Sequence, residues 1–152
     1  MAETMQLPTS KVAKTAVNAK RTVIYSKPKA GKTSAFAGLE NNLILDLENG
    51  SGYVEALKVN INNLADLRQV GTAIKEAGYP YKYVTVDTTT ALEDMVGELA
   101  IKLYKATSMG KNFAGDNVLT LANGAGYYYL RQAFFQVLDY IDTFAPHIIL
   151  AG

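Results

Sequence analysis

The sequence predicts an α/β domain, a mostly parallel β-sheet flanked by helices. Three observations carry this reading. Short β-branched and apolar runs alternate with longer stretches whose apolar residues recur at helical spacing. Clusters of Gly, Asn, Ser and Pro punctuate the boundaries between them. At 152 residues, with 49% hydrophobic and 19% charged content, the chain is of a size and composition to bury one core. Strands separated by helices favour parallel pairing, because each parallel connection must cross back over the sheet.

The elements follow in order. Residues 1–20 are polar, small and basic and are expected to form a loosely ordered arm; an arm touching nucleic acid through Lys11, Lys14, Lys20 and Arg21 is the alternative. The domain proper is expected over 21–152. Residues 22–25 (TVIY) predict a buried strand, and 32–39 a helix after a glycine turn. Residues 42–47 (NLILDL) predict a second strand, followed by turn chemistry in Asn49-Gly50-Ser51-Gly52. Leu64, Leu67, Val70, Ile74 and Ala77 share one helical face, and Gly78-Tyr79-Pro80 ends that helix. Residues 83–87 (YVTVD) are a third strand. Leu92, Met95, Val96, Leu99 and Leu103 mark one amphipathic helix over 91–104. Residues 106–125, rich in Gly, Asn and Ser, read as a long loop with a short ordered piece. Leu130, Phe134, Leu138 and Ile141 mark a further helix, stopped by Pro146, and 147–151 (HIILA) a fourth strand. There is no internal repeat and no linker dividing the chain. The chain stops at Gly152, where a parallel strand should feed a loop, so the expectation is a domain truncated at its C-terminus or completed otherwise.

Composition excludes several chemistries. Net charge is +1, so any basic surface for nucleic acid must be local. With no cysteine, disulfides, thiolate metal sites and a cysteine nucleophile are ruled out. One histidine, His147, cannot build a multi-histidine metal site and is expected to be structural. No apolar run approaches the roughly 20 residues of a membrane span, and the N-terminus lacks a signal-peptide core. A soluble, cytoplasmic protein without a membrane partner is expected.

The chemistry concentrates after the first strand. Ser26-Lys27-Pro28-Lys29-Ala30-Gly31-Lys32-Thr33 matches the phosphate-gripping pattern G-x-x-x-x-G-K-[ST] except at its first position. In that pattern backbone N–H groups curl around phosphates, the lysine reaches the terminal ones, the hydroxyl holds Mg²⁺ and the helix start adds a positive dipole. Residues 26–34, Ser34 included, are therefore the candidate nucleotide contacts. Ser26 stands where glycine usually allows a sharp turn; serine tolerates turns and can bond its own backbone. Pro28 stiffens the loop, and Lys27 and Lys29 add positive charge. A basic turn before a helix is the structural alternative, opposed by the strand–loop–helix placement.

Two acids stand at strand ends. Asp87 closes the third strand, where a carboxylate faces the ligand crevice of a parallel sheet, and with Thr33 is the candidate Mg²⁺ holder; capping the next helix through Thr88-Thr89-Thr90 is the alternative. Glu48 follows the second strand and could polarise a water against the terminal phosphate. Asp46 lies on the same side of the strand and competes for that role. Glu48 and Lys32 are the candidate catalytic residues.

With these segments in place, the chain resembles the RecA-like P-loop ATPase core, and most closely the short phage ATP-binding proteins related to single-strand annealing recombinases. SKPKAGKT, LILDLENGSG, YVTVDTTTALE and HIILAG after GYYYLRQAF carry the resemblance, over about residues 20–152. It implies that Glu48 rather than Asp46 is the hydrolytic base, that the strand 147–151 inserts between the loop strand and the metal-acid strand, and that a polar sensor would come after Gly152. It implies ATP and Mg²⁺ as cofactors, host-cell cytoplasm if the chain is viral, and a ring or filament whose neighbouring subunit supplies a cation; Lys105, Lys111 and Arg131 are the candidates. Loops facing single-stranded DNA in that family correspond to residues 105–127, with Lys105, Lys111 and Phe113 as possible contacts; tyrosines 127–129 stacking in a core are the alternative. The expected function is a Mg-ATP hydrolase in phage DNA recombination or replication. A non-hydrolysing nucleotide-binding assembly module is the alternative. A small-molecule kinase is disfavoured, since Arg21, Arg68 and Arg131 are the only arginines to build a lid.

Overall fold

The structure is a computed structural model and describes residues 6, 7, 9–11, 13, 19–27, 30–50, 52 and 55–152. The expected contacts Pro28 and Lys29, Lys14 of the arm and Ser51 of the turn lie outside the described residues.

The described strands are β1 (Arg21–Ile24), β2 (Asn42–Asp46), β3 (Lys58–Asn60), β4 (Tyr83–Asp87) and β5 (His147–Ala151). They form one all-parallel sheet in the order β1-β5-β4-β2-β3. The helices are α1 (Lys32–Ala37), α2 (Leu64–Glu76), α3 (Thr89–Met95), α4 (Gly97–Lys105) and α5 (Ala125–Ile141). This is the mostly parallel sheet flanked by helices that the alternation predicts, and β5 lies between β1 and β4 as the resemblance implies. Among the described residues no helix is long and apolar enough to cross a membrane.

Side-chain alternation sorts the sheet into two faces. Leu43, Leu45, Val84, Val86, Ile148 and Leu150 join the larger core, with Leu67 and Ile74 of α2, Ala100 of α4 and Val137, Leu138 and Ile141 of α5. Ile44, Ile149 and Ala151 point the other way and pack with Phe36 of α1. On that second face Asn42 and Thr85 are buried but satisfied: the Thr85 hydroxyl donates to Asn42 Oδ1 at 2.8 Å, and Asn42 Nδ2 donates to the Phe36 carbonyl at 2.9 Å. A buried amide left unpaired would be costly; here it fastens the end of α1 to two central strands. By the same period of two, Asp46 and Asp87 lie on the face of α1.

Four expectations need correction. The strand after the arm is not buried: it is a sheet edge among the described strands, and Val23 and Tyr25 beside it are 69% and 86% exposed. The single helix over 91–104 is two helices meeting at Val96, whose ψ of −1° departs from the helical value although its N–H still donates to the Leu92 carbonyl and its carbonyl still accepts from Ala100 N–H. Gly97, a poor helix former, follows the break, while buried Val96 carries the apolar face across it. A fifth strand, β3, pairs with β2 in parallel. Helix α1 ends at Ala37, two residues before the expected limit. The loop over 106–125 does contain ordered pieces, two 3₁₀ turns at Val118–Thr120 and Ala122–Gly124.

The far end of the sheet is fastened by polar contacts. The Arg21 guanidinium forks onto Asp142 at 2.5 Å and Asp139 at 2.7 Å, and His147 Nδ1 lies 2.9 Å from the Ala19 carbonyl. His147 stacks near Tyr83, ring centroids 5.4 Å apart. These contacts lie at the opposite end of β5 from the carboxyl rim.

Candidate functional site

The site is assembled at the carboxyl ends of β1, β5, β4 and β2. The loop from β1 to α1 bends through Gly31, whose backbone is left-handed at φ 89° and ψ 17°. Glycine alone takes that conformation without strain. Ser26 makes no such demand: the left-handed non-glycine residues among those described are Asn41, Asn49, Tyr79 and Asn123. Its hydroxyl donates to the Lys27 carbonyl at 3.3 Å and its N–H to the Gly152 carbonyl at 3.3 Å. Serine at the first motif position is therefore not asked for a left-handed backbone. The loop closes on itself further, Ala30 N–H to the Lys27 carbonyl at 3.3 Å.

Lys32 opens α1, and its ammonium donates to the carbonyls of Ser26 at 3.4 Å and of Gly152. These are the oxygens that end β1 and β5, so the cation lies over the rim rather than out in solvent. Thr33, the next residue, donates from its hydroxyl to Asp87 Oδ2 at 3.1 Å. The hydroxyl of the loop and the acid of β4, 54 positions apart in sequence, are thus brought into contact. Ser34 is exposed on the first turn of α1.

Asp87 is 8% exposed. Burial pushes its carboxyl above the ordinary range; the Thr33 hydrogen bond pulls it back, the charges of Asp46 and Glu48 add to the rise, and Lys32 opposes it. A buried acid with two like charges around it and a hydroxyl alongside is a donor set that a divalent cation would relieve. Among the described residues no three His, Cys, Asp or Glu side chains form a metal cage. Mg²⁺ keeps its waters and takes one or two protein ligands plus phosphate oxygens, a set that Thr33 and Asp87 could supply.

The two acids at the end of β2 differ in their contacts. Asp46 is 2% exposed and opposite Asp87 in register. Its Oδ1 accepts from the N–H groups of Glu48 and Gly50, both at 3.2 Å, which folds the turn that follows the strand. Glu48 is exposed at the rim, and its Oε1 accepts from the Thr88 hydroxyl at 2.8 Å. The helix after Asp87 is capped by Thr88, whose hydroxyl also accepts from Ala91 N–H, so Asp87 is not the cap.

Thr88, which the sequence offers only as part of a capping run, is the residue that meets Glu48 at the rim. Its signal was its position immediately after a strand-end acid.

The residues proposed for a nucleic acid lie elsewhere. Lys105 and Lys111 are exposed. Phe113 is half-buried with its ring 5.3 Å from Tyr104, edge-on. Tyr104 in turn meets Tyr129 at 5.0 Å, and Tyr129 meets Tyr128 at 5.2 Å. Tyr127 and Tyr128 keep exposed surface. Arg131 lines a groove between α3, α4 and α5 whose rim carries Glu93, Asp94, Glu98 and Asp116.

A family model described as an AAA domain matches residues 18–152. No curated protein and no solved structure matches the chain.

Proposed function

Because the chain belongs to the AAA domain family, a family of P-loop ATPase-like domains, we propose that it binds Mg-ATP at the β1–α1 loop and hydrolyses it with Glu48 as the base. The observation that carries this reading is the contact of Thr33 with Asp87 at 3.1 Å, which joins the loop hydroxyl to the strand-end acid. A basic turn of no function has no reason to meet a buried acid whose charge is disfavoured where it sits.

The chain's own residues divide the work. Backbone N–H groups of the bend around Gly31 face the phosphates. Lys32 leaves the carbonyls of Ser26 and Gly152 and neutralises the terminal phosphate oxygens. Thr33 and Asp87 would hold the cation. Mg²⁺, when bound, offsets charge on the phosphate oxygens. Glu48 accepts a proton from the attacking water as its oxygen bonds the terminal phosphorus and the bond to the ADP oxygen breaks. Lys27 adds long-range attraction for the triphosphate.

We carry the finer reading as part of the same proposal: a RecA-like core acting in phage DNA recombination or replication, on single-stranded DNA, as a ring or filament whose neighbouring subunit supplies Lys105, Lys111 or Arg131 as the trans cation. Its support is the sequence resemblance together with the exposure of Lys105, Lys111, Tyr127 and Tyr128.

The test is phosphate release by the full chain, with and without single-stranded DNA, alongside Glu48→Gln. The expected result is DNA-stimulated turnover that falls at least about a hundredfold in E48Q, with a smaller stimulation in Lys105→Ala/Lys111→Ala. Turnover unchanged in E48Q refutes the base assignment. Turnover indifferent to DNA removes the recombination reading. Nucleotide-dependent assembly without phosphate release would favour the non-hydrolysing module instead.

A further inference from the structure

Resting on the reading of Glu48 as the hydrolytic base, we infer that Thr88 is the residue that positions it. Glu48 stands beyond the end of β2, exposed, on a side chain with three rotatable bonds. Its backbone is fixed by the Asp46 carboxylate at 3.2 Å, but its carboxylate is held by the Thr88 hydroxyl at 2.8 Å. A general base must stay within hydrogen-bond reach of one water while a proton moves. An untethered glutamate at a surface samples several rotamers and meets that condition only part of the time.

Thr88 is built to hold such a group. Its hydroxyl oxygen accepts from Ala91 N–H at 3.4 Å as the N-cap of α3, which leaves its proton to be donated outward. Threonine is β-branched and stiff at χ1. The strand ends beneath are locked together, since Leu47 N–H donates to the Asp87 carbonyl at 2.9 Å. Adjacent residues at the end of β4 therefore reach opposite sides of the site. Asp87 fixes Thr33 of the loop, and Thr88 fixes Glu48 of the neighbouring strand end. The distance between the metal side and the water side of the reaction is then set by one short piece of backbone. Thr88 touches neither phosphate nor water in this scheme, so its effect is on turnover and not on nucleotide affinity.

The experiment measures kcat and KM for Mg-ATP in Thr88→Val, Thr88→Ser and Glu48→Asp, with E48Q and E48Q/T88V alongside. T88V is expected to lower kcat about tenfold with KM within about twofold. T88S, which keeps the hydroxyl, is expected to restore turnover. E48D draws the carboxylate back by one methylene at an exposed position, so it loses the same contact with no threat to folding, and a similar fall in kcat is expected. Adding T88V to E48Q is expected to change the residual single-turnover rate little, because the group being positioned is gone. Equal kcat in T88V and wild type, with E48Q inactive, overturns the positioning role and leaves the base assignment standing. A rise in KM matching the fall in kcat, or a T88V loss as large in the E48Q background, assigns Thr88 to helix capping alone and overturns it too. Full turnover in E48Q overturns the base assignment and this inference with it.

Discussion

Gly31→Ala isolates what the loop's bend is worth. Gly31 sits at φ 89° and ψ 17°, and a methyl added there would meet no atom of the described residues within 4 Å. Collision with the described residues therefore contributes nothing, and the expected effect is the cost of placing an L-residue in the left-handed region, about 1–2 kcal/mol. That sum can be drawn from two places. If the free loop keeps its bend, stability falls by that amount, a drop in melting temperature of about 2–8 °C for a chain of this size. If the free loop relaxes and must bend again around the triphosphate, stability is unchanged and affinity falls about 5–30-fold instead. Calorimetric titration with Mg-ATP and a thermal melt, on the same preparation, read the two parts, and they should sum to about 1–2 kcal/mol. No change in either measurement would refute the bend as an obligatory feature. An affinity loss beyond about a thousandfold with the fold intact would show that the methyl collides with the ligand, and that strain is the wrong account.

Three further outcomes follow from the same geometry. Asp87→Asn should stabilise the free protein near neutral pH while removing Mg²⁺-dependent activity. The Asp87 carboxyl is raised above its ordinary value, chiefly by burial, so its native-state benefit is complete below the unfolded pKa of about 4 and is lost as pH rises through the higher folded value. The melting-temperature gap between D87N and wild type should therefore widen from acid toward neutral pH, and a gap that is constant or reversed contradicts this. Gly126→Ala should lower the melting temperature, since its methyl would stand 2.0 Å from the Val118 carbonyl oxygen, a backbone atom that cannot swing away; a cost of about 1–3 kcal/mol is expected. Gly97→Ala should raise it by contrast, because that methyl meets nothing among the described residues within 4 Å and the substitution stiffens the unfolded chain, worth about 0.4–1 kcal/mol.

How far the sequence carried depends on what each element needed. The strands at 83–87 and 147–151 were legible to the residue, because continuous β-branched runs bounded by turn chemistry leave few other arrangements. The loop was legible for the same reason, a motif in its required strand–loop–helix setting. The break at Val96 was not, since the apolar period runs unbroken from Leu92 to Leu103 and only the backbone departs from it. The strand β3 offers three residues with one apolar side chain, and it exists through pairing with β2 rather than through a pattern of its own. The exposure of Val23 and Tyr25 is a matter of which strand lies at the edge, and local composition carries no record of that. The competition between Asp46 and Glu48 was open in sequence because both share one side of the strand. Their three-dimensional contacts differ: turn amides donate to Asp46, and Glu48 stands at the rim with Thr88.

The central claim is that the bend from Ser26 to Thr33 holds a triphosphate with Lys32 as its cation. Titrating Mg-ATP into the full chain in a calorimeter tests it without reference to turnover, oligomer or DNA. The account predicts saturable heat in the wild type and at least about a hundredfold weaker association in Lys32→Ala, the loss of a charge-assisted contact to phosphate. Absence of heat in the wild type, or equal affinity in the two proteins, would contradict it.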